Sequence, residues 1–152
     1  MVDVLRIQLD NLARKLPAGL LRGCGDAGEE QPDVTLIQGD SAALDLASDS
    51  YDRALLFFLL HEQPADVRRR TLAEALRVVK PGGRVVIVDY HRPRRSNPLY
   101  WPMVGVLRTL EPFALDLWQH DLASWFPRGT PVASVEKRTF FGGLYQLVSI
   151  TV

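Results

Sequence analysis

Leu5, Leu9, Leu12 and Leu16 recur at three- and four-residue spacing, which aligns them on one face of a helix that Pro17 and Gly19 would end. Residues 20–33 show no period, and Gly23, Gly25, Gly28 and Pro32 stand among acids there, so this stretch reads as loop. Residues 34–38 form a short strand closed by Gly39-Asp40. From residue 51 to residue 60 the chain is almost continuously apolar after Asp52, the pattern of a central parallel strand covered by helices on both faces. Pro64 then opens a helix whose stripe, Val67, Thr71, Leu72, Ala75, Leu76 and Val79, runs through to Lys80. Pro81-Gly82-Gly83 stops it, and residues 84–90 supply the next β-branched strand, completing a strand-helix-strand unit of right-handed type. A basic, proline-broken loop follows at 91–98, then short helices around 103–110 and 115–125 that cap the strand ends. Two β-rich runs, 134–140 and 144–152, flank Phe141-Gly142-Gly143 and predict an antiparallel hairpin.

Composition narrows this picture. A chain of 152 residues that is 47% hydrophobic and 24% charged suffices for one domain, 1–152, around one core. The formal net charge is zero, so nothing global draws the chain to nucleic acid, and a basic partner surface has to be local. Cys24 is the single cysteine, which excludes an intramolecular disulfide and suits a reducing cytoplasm. Arg6, Asp10, Arg14 and Lys15 interrupt any signal-peptide core, and the longest apolar run, 54–60, is far short of the roughly 20 residues a spanning helix needs. The expectation is a soluble cytoplasmic protein or one held peripherally on the inner membrane.

The order of these pieces carries more than any one of them. A strand ending in Gly-Asp, Tyr51-Asp52 before an apolar strand, a helix ending Arg77-Val78-Val79-Lys80-Pro81-Gly82-Gly83-Arg84, and a strand ending in Asp89 together resemble the α/β, Rossmann-like sheet of class I S-adenosylmethionine (SAM)-dependent methyltransferases. Within that superfamily, Leu55-Leu56-Phe57-Phe58-Leu59-Leu60-His61-Glu62-Gln63-Pro64 and Val88-Asp89-Tyr90-His91-Arg92-Pro93 resemble the RquA family of rhodoquinone biosynthesis. The segments Leu110-Glu111-Pro112-Phe113-Ala114-Leu115-Asp116-Leu117-Trp118, Phe140-Phe141-Gly142-Gly143-Leu144-Tyr145-Gln146 and Val2-Asp3-Val4-Leu5-Arg6-Ile7-Gln8-Leu9 extend that likeness.

The resemblance implies an enzyme that exchanges a methoxy group of ubiquinone for an amino group, with SAM as nitrogen donor and manganese as a second cofactor. It also implies that the first strand and the glycine-rich loop would lie upstream of Met1, so the chain is expected to lack them. The strands at 34–38 and 51–60 would then have no partner between them, and their free edges invite pairing into an oligomer. Gly23-Cys24-Gly25-Asp26-Ala27-Gly28 looks like the absent loop, but only residues 29–33 separate it from the next strand, too few for the helix a nucleotide loop must open.

Candidate site residues cluster after the strands. Asp3 falls where this fold places an acid on the ribose, or else it is a helix cap. Asp40 and Ser41 stand where the fold contacts adenine, or serve as turn residues. Phe57 lies near the cofactor's sugar and sulfur, or in plain core. His61 and Glu62 follow the apolar strand at the edge where open α/β sheets bind ligands, as base, proton relay or metal ligands, with Glu62 favouring manganese. Asp89, Tyr90 and His91 occupy the same edge one strand on, so His61, Glu62, Asp89 and His91 could converge on one metal or substrate, or Asp89 caps a turn. Asp45 is a further acid, with helix capping as its structural role. Arg92, Arg94, Arg95, Tyr100 and Trp101 combine basic and interfacial side chains that suit a membrane carrying a lipid quinone, or form a solvated loop. Single-stranded nucleic acid fits poorly, because the patch is short and the net charge zero.

Overall fold

The computed structural model describes residues 37–152 apart from 128 and 131. The chain divides into Met1–Asp40 and Ser41–Val152, and every element below belongs to the second unit. The helix expected at 5–16, the Gly23 to Gly28 loop and most of the strand at 34–38 lie outside the described residues, and 37–39 carry no strand.

A four-stranded sheet runs in the order β1-β2-β4-β3. The strands are β1 (Tyr51–Phe57), β2 (Val79–Tyr90), β3 (Ser134–Phe140) and β4 (Tyr145–Thr151). β1 and β2 are parallel, with Leu56 opposite Ile87 and Phe57 opposite Val88. The helix α1 (Ala65–Val78) joins them, as the strand-helix-strand reading required. β4 lies antiparallel to β2 and β3 antiparallel to β4, so the predicted hairpin folds back onto the parallel pair. Its turn is a single 3-10 turn at Phe141–Gly143. The capping helices are α2 (Tyr100–Leu110) and α3 (Pro112–Gln119), followed by a 3-10 turn at Leu122–Trp125.

α1 buries Arg68, Thr71, Leu72, Ala75, Leu76 and Val78, the three- and four-residue spacing of one helical face. It ends at Val78, short of the expected Lys80, because Val79 already pairs with Tyr51 at the start of β2. Pro81-Gly82-Gly83 is therefore a bulge inside the strand, where the register slips between Tyr51 and Arg53. Gly83 is needed there, since a Cβ would sit 2.8 Å from the Asp52 carbonyl and 2.9 Å from that of Lys80.

The main core joins Leu72 and Leu76 of α1, Leu117 of α3 and Leu122 to the sheet face bearing Leu56, Val85, Ile87, Val148 and Ile150. Each fully buried aliphatic side chain there contributes about 1.5–3 kcal/mol. A smaller cluster of Tyr100, Leu107, Ala114 and Trp118 packs α2 on α3.

One expectation is corrected. Among the described residues β1 stands at the sheet edge and not at its centre, and no described helix covers its second face, where Leu55 is 65% and Phe57 63% exposed. The helices pack against the other face, so the apolar run 54–60 is buried at Leu56 and Leu60 but open at alternate positions.

Candidate active site

The carboxyl ends of β1 and β2 bring together the groups that sequence spacing only suggested. A 3-10 turn, Leu60–Glu62, follows β1 and lays His61 against Asp89 at the end of β2. His61 Nδ1 donates to Asp89 Oδ1 at 2.8 Å, and the histidine is only 4% exposed. The other Asp89 oxygen accepts the Leu60 amide at 2.8 Å and the His61 amide at 3.3 Å. Tyr90 N–H donates to Oδ1 at 2.7 Å. The carboxylate is buried and accepts on both oxygens, which fixes the imidazole with Nε2 as its free nitrogen.

That nitrogen faces two further acids, Glu111 Oε2 at 3.5 Å and Glu62 Oε1 at 3.9 Å. Burial disfavours the charged ring, but the hydrogen bond and charge of Asp89, with the charges of Glu111 and Glu62, outweigh it and raise the His61 pKa above 6.5. Tyr90 lies with its ring centroid 4.4 Å from that of His61, and burial first, then the Glu111 charge, raises its phenol pKa.

Aromatic rings wall the outer side of this group. Phe58 packs edge-on against Tyr90 at 5.7 Å and Tyr145 at 5.6 Å, and Phe141 against Tyr145 at 5.6 Å. Phe58 and Phe141 both adopt left-handed backbone, φ 49° and 53°, which is strained for a bulky side chain. Phe141 is 75% exposed, so the outer edge of this ring cluster faces solvent.

A buried arginine ties the two carriers of the site together. Arg68 Nε donates to Leu60 O at 3.0 Å and an Nη to Gln63 O at 2.9 Å, on the turn that holds His61. Its other contacts, Asp116 Oδ2 at 2.9 Å and Phe113 O at 3.1 Å, are on α3, directly after Glu111. The guanidinium also lies over the Trp125 ring at 4.7 Å.

Several predicted residues are placed elsewhere. His91 Nδ1 meets Gly143 O at 2.8 Å, which pins the hairpin turn, so His91 does not converge with His61. Asp45 is exposed, and the loop around it is drawn toward the end of α1, where Arg77 donates to the Leu44 and Leu46 carbonyls and Glu74 accepts the Leu44 amide. Glu62 is mostly exposed. With Asp89 saturated by nitrogen donors, Glu62 and Asp89 do not make a manganese site, and no group of three potential ligands forms among the described residues. Tyr100 is buried against Trp118 and is not an interfacial side chain.

On the cofactor side, Asp3 is outside the described residues and Asp40 is exposed. Ser41 Oγ bonds Thr71 Oγ1 at 3.0 Å and accepts from Gln63 Nε2 at 3.0 Å, while Gln63 Oε1 is buried with no partner.

Sequence spacing missed Arg68, Glu111, Phe58 and Tyr145. Arg68 stands on the same stripe as Thr71, Leu72 and Ala75, a signal that it faces inward.

Known proteins agree with this architecture. A family described as methyltransferase domain matches residues 15–87. A demethylmenaquinone methyltransferase of Renibacterium salmoninarum is 34% identical over 56% of this chain and 34% of its own length. An uncharacterized methyltransferase of Synechocystis sp. is 30% identical over 84% of this chain and 59% of its own. The chain thus spans between about one third and three fifths of these curated relatives. A SAM-dependent methyltransferase of Thermotoga maritima, described as a possible histamine N-methyltransferase, superposes with a TM-score of 0.57 at 18% identity, covering 78% of this chain and 64% of that one. In sheet order, helix placement and sequence, the chain carries the class I fold of SAM-dependent methyltransferases.

Proposed function

We propose that this chain is part of a SAM-dependent transferase that modifies the ring of a lipid quinone. The observation that carries the reading is a buried His61–Asp89 pair with Glu111 and Tyr90 against it, beside a cluster of aromatic rings at the carboxyl edge of the sheet. A planar ring stacked on Tyr145 and Phe58 would present a ring hydroxyl to this acid-base group. The curated relative from Renibacterium salmoninarum, a demethylmenaquinone methyltransferase, supports a quinone as substrate.

His61 itself is too buried to meet the substrate, so the proton path runs through Glu111. Glu111 takes the hydroxyl proton and passes it to His61 Nε2; the resulting imidazolium is held between Asp89 and Glu111, and the ring oxygen is left as an electron-rich anion. Ser41, Gln63 and Phe57 would hold the adenosine part of SAM, with the buried Gln63 Oε1 as acceptor for an amino group. When bound, SAM would supply an electrophilic methyl carbon on its sulfonium for the methylation reading, or the amino nitrogen for the exchange reading.

The finer reading is the methoxy-to-amino exchange that turns ubiquinone into rhodoquinone, supported by the RquA-like segments 55–64, 88–93, 110–118 and 140–146. A second reading, methylation of a quinone ring carbon, is favoured by the relative's printed activity. Expression in ubiquinone-containing cells, followed by mass spectrometry of extracted quinones, separates them. Rhodoquinone establishes the exchange, a methylated quinone establishes the second reading, and an unaltered quinone pool with a folded, SAM-binding protein overturns both.

A further inference from the structure

α2 is built for a surface other than water. Its inner side buries Tyr100 and Leu107 against α3. Its outer side exposes Trp101 (68%), Pro102, Gly105, Val106 (48%), Thr109 and Leu110 (72%), with Leu99 exposed just before it. The one hydroxyl on that side is turned inward on the helix itself, Thr109 Oγ1 donating to Gly105 O at 2.9 Å. Arg108 is then the single charged side chain of the helix, long enough to bend its guanidinium away from an apolar layer. An ordinary surface helix puts charge on its outer face; this one puts apolar groups there.

Charge supplies the second half of the argument. Residues 91–110 hold four arginines, Arg92, Arg94, Arg95 and Arg108, and no acid. All four are exposed. An apolar stripe beside a purely cationic segment is complementary to one kind of surface, a bilayer with anionic headgroups. No described helix is long and apolar enough to cross a membrane, so the contact is an in-plane one.

We infer that α2 is a membrane-docking helix, lying in the headgroup layer of an anionic bilayer with Trp101, Val106 and Leu110 inserted and the arginines of residues 92–95 on the lipid phosphates. Its C-terminal residue, Leu110, precedes Glu111, so the docked helix ends at the proton path of the site. The inference rests on the lipid-quinone reading for what the docking serves, while its own observations are the outer face of α2 and the arginines that precede it.

Vesicle flotation of the full chain tests it, with phosphatidylcholine alone and with phosphatidylglycerol added, and with no quinone present. The expected result is partition onto the anionic vesicles that falls as salt is raised. Trp101→Ser with Val106→Ser should weaken it about tenfold or more while the thermal melt stays put. Arg94→Glu with Arg95→Glu should weaken it and flatten the salt dependence. Failure to float with anionic vesicles, or flotation that the Trp101/Val106 pair leaves unchanged, overturns the inference. So does a dimer in solution that the same pair dissociates, which would assign the face to a second copy. Because the vesicles hold no quinone, a negative result here is distinct from a negative result on quinone products.

Discussion

Two neighbouring regions of this protein invert the usual arrangement of a globular surface. Around Asp89 the polar groups are inside: a carboxylate, an imidazole and a guanidinium are buried, and their bonds are made within the protein. Along α2 the apolar groups are outside, and the helix offers water almost nothing polar. Burying charge is unfavourable unless every lone pair and proton finds a partner, and exposing apolar surface forgoes the hydrophobic gain. Neither arrangement helps folding much. On the readings proposed above, each is a provision for something that arrives from outside, a proton-bearing ring in one case and a lipid layer in the other.

The contrast can be broken most forcefully at Arg68. Arg68→Ala removes a donor from the Leu60, Gln63 and Phe113 carbonyls, strips Asp116 of its ion-pair partner and opens space over Trp125, and should cost about 3–5 kcal/mol in denaturant-induced unfolding. An effect below about 1 kcal/mol would show that the clamp is not what joins the His61 turn to α3. Asp89→Asn should lower turnover on the order of a hundredfold or more, because His61 loses the acceptor that sets its tautomer and supports its charge. The same change should bring the His61 titration, followed by NMR, down from its raised position. Glu111→Gln should lower it less, since Glu111 stands at 3.5 Å without a hydrogen bond.

A smaller effect concerns pH. The folded pKa of His61 lies above its unfolded value of 6.5, so the stabilisation from the charged ring is complete below about pH 6.5 and is lost as pH rises through the raised pKa. Denaturation midpoints measured across that window should fall, and His61→Gln should remove that part of the slope. The least change in stability is expected from Trp101→Ser on the open face, within about 0.5 kcal/mol, although vesicle binding should drop sharply. A large loss of stability there would mean that Trp101 packs against the protein in solution.

How much of this was readable from the chain depended on whether the signal was local. The βαβ unit, the hairpin and the position of His61 and Asp89 after successive strands all follow from period and turn residues. That these two side chains bond each other required the parallel register of β1 and β2, which also fixes that they meet on the buried face. Glu111 was out of reach, because its contact with His61 is set by how α2 and α3 fold back over the edge. The apolar run at 51–60 shows that a strand can be buried, not whether helices lie on both its sides, and among the described residues they lie on one. His91 resembled a partner of the dyad in sequence, yet one residue beyond Asp89-Tyr90 the chain leaves the strand and turns to the hairpin.

Phe58 and Phe141 carry a consequence of a different kind. Their rings are aimed by left-handed backbone, and the Phe58 amide is locked to Val88 O at 2.8 Å. Holding a bulky residue at positive φ costs about 1–3 kcal/mol at each position, so Phe58 and Phe141 carry strain that the contacts of their rings and the Phe58 amide must offset.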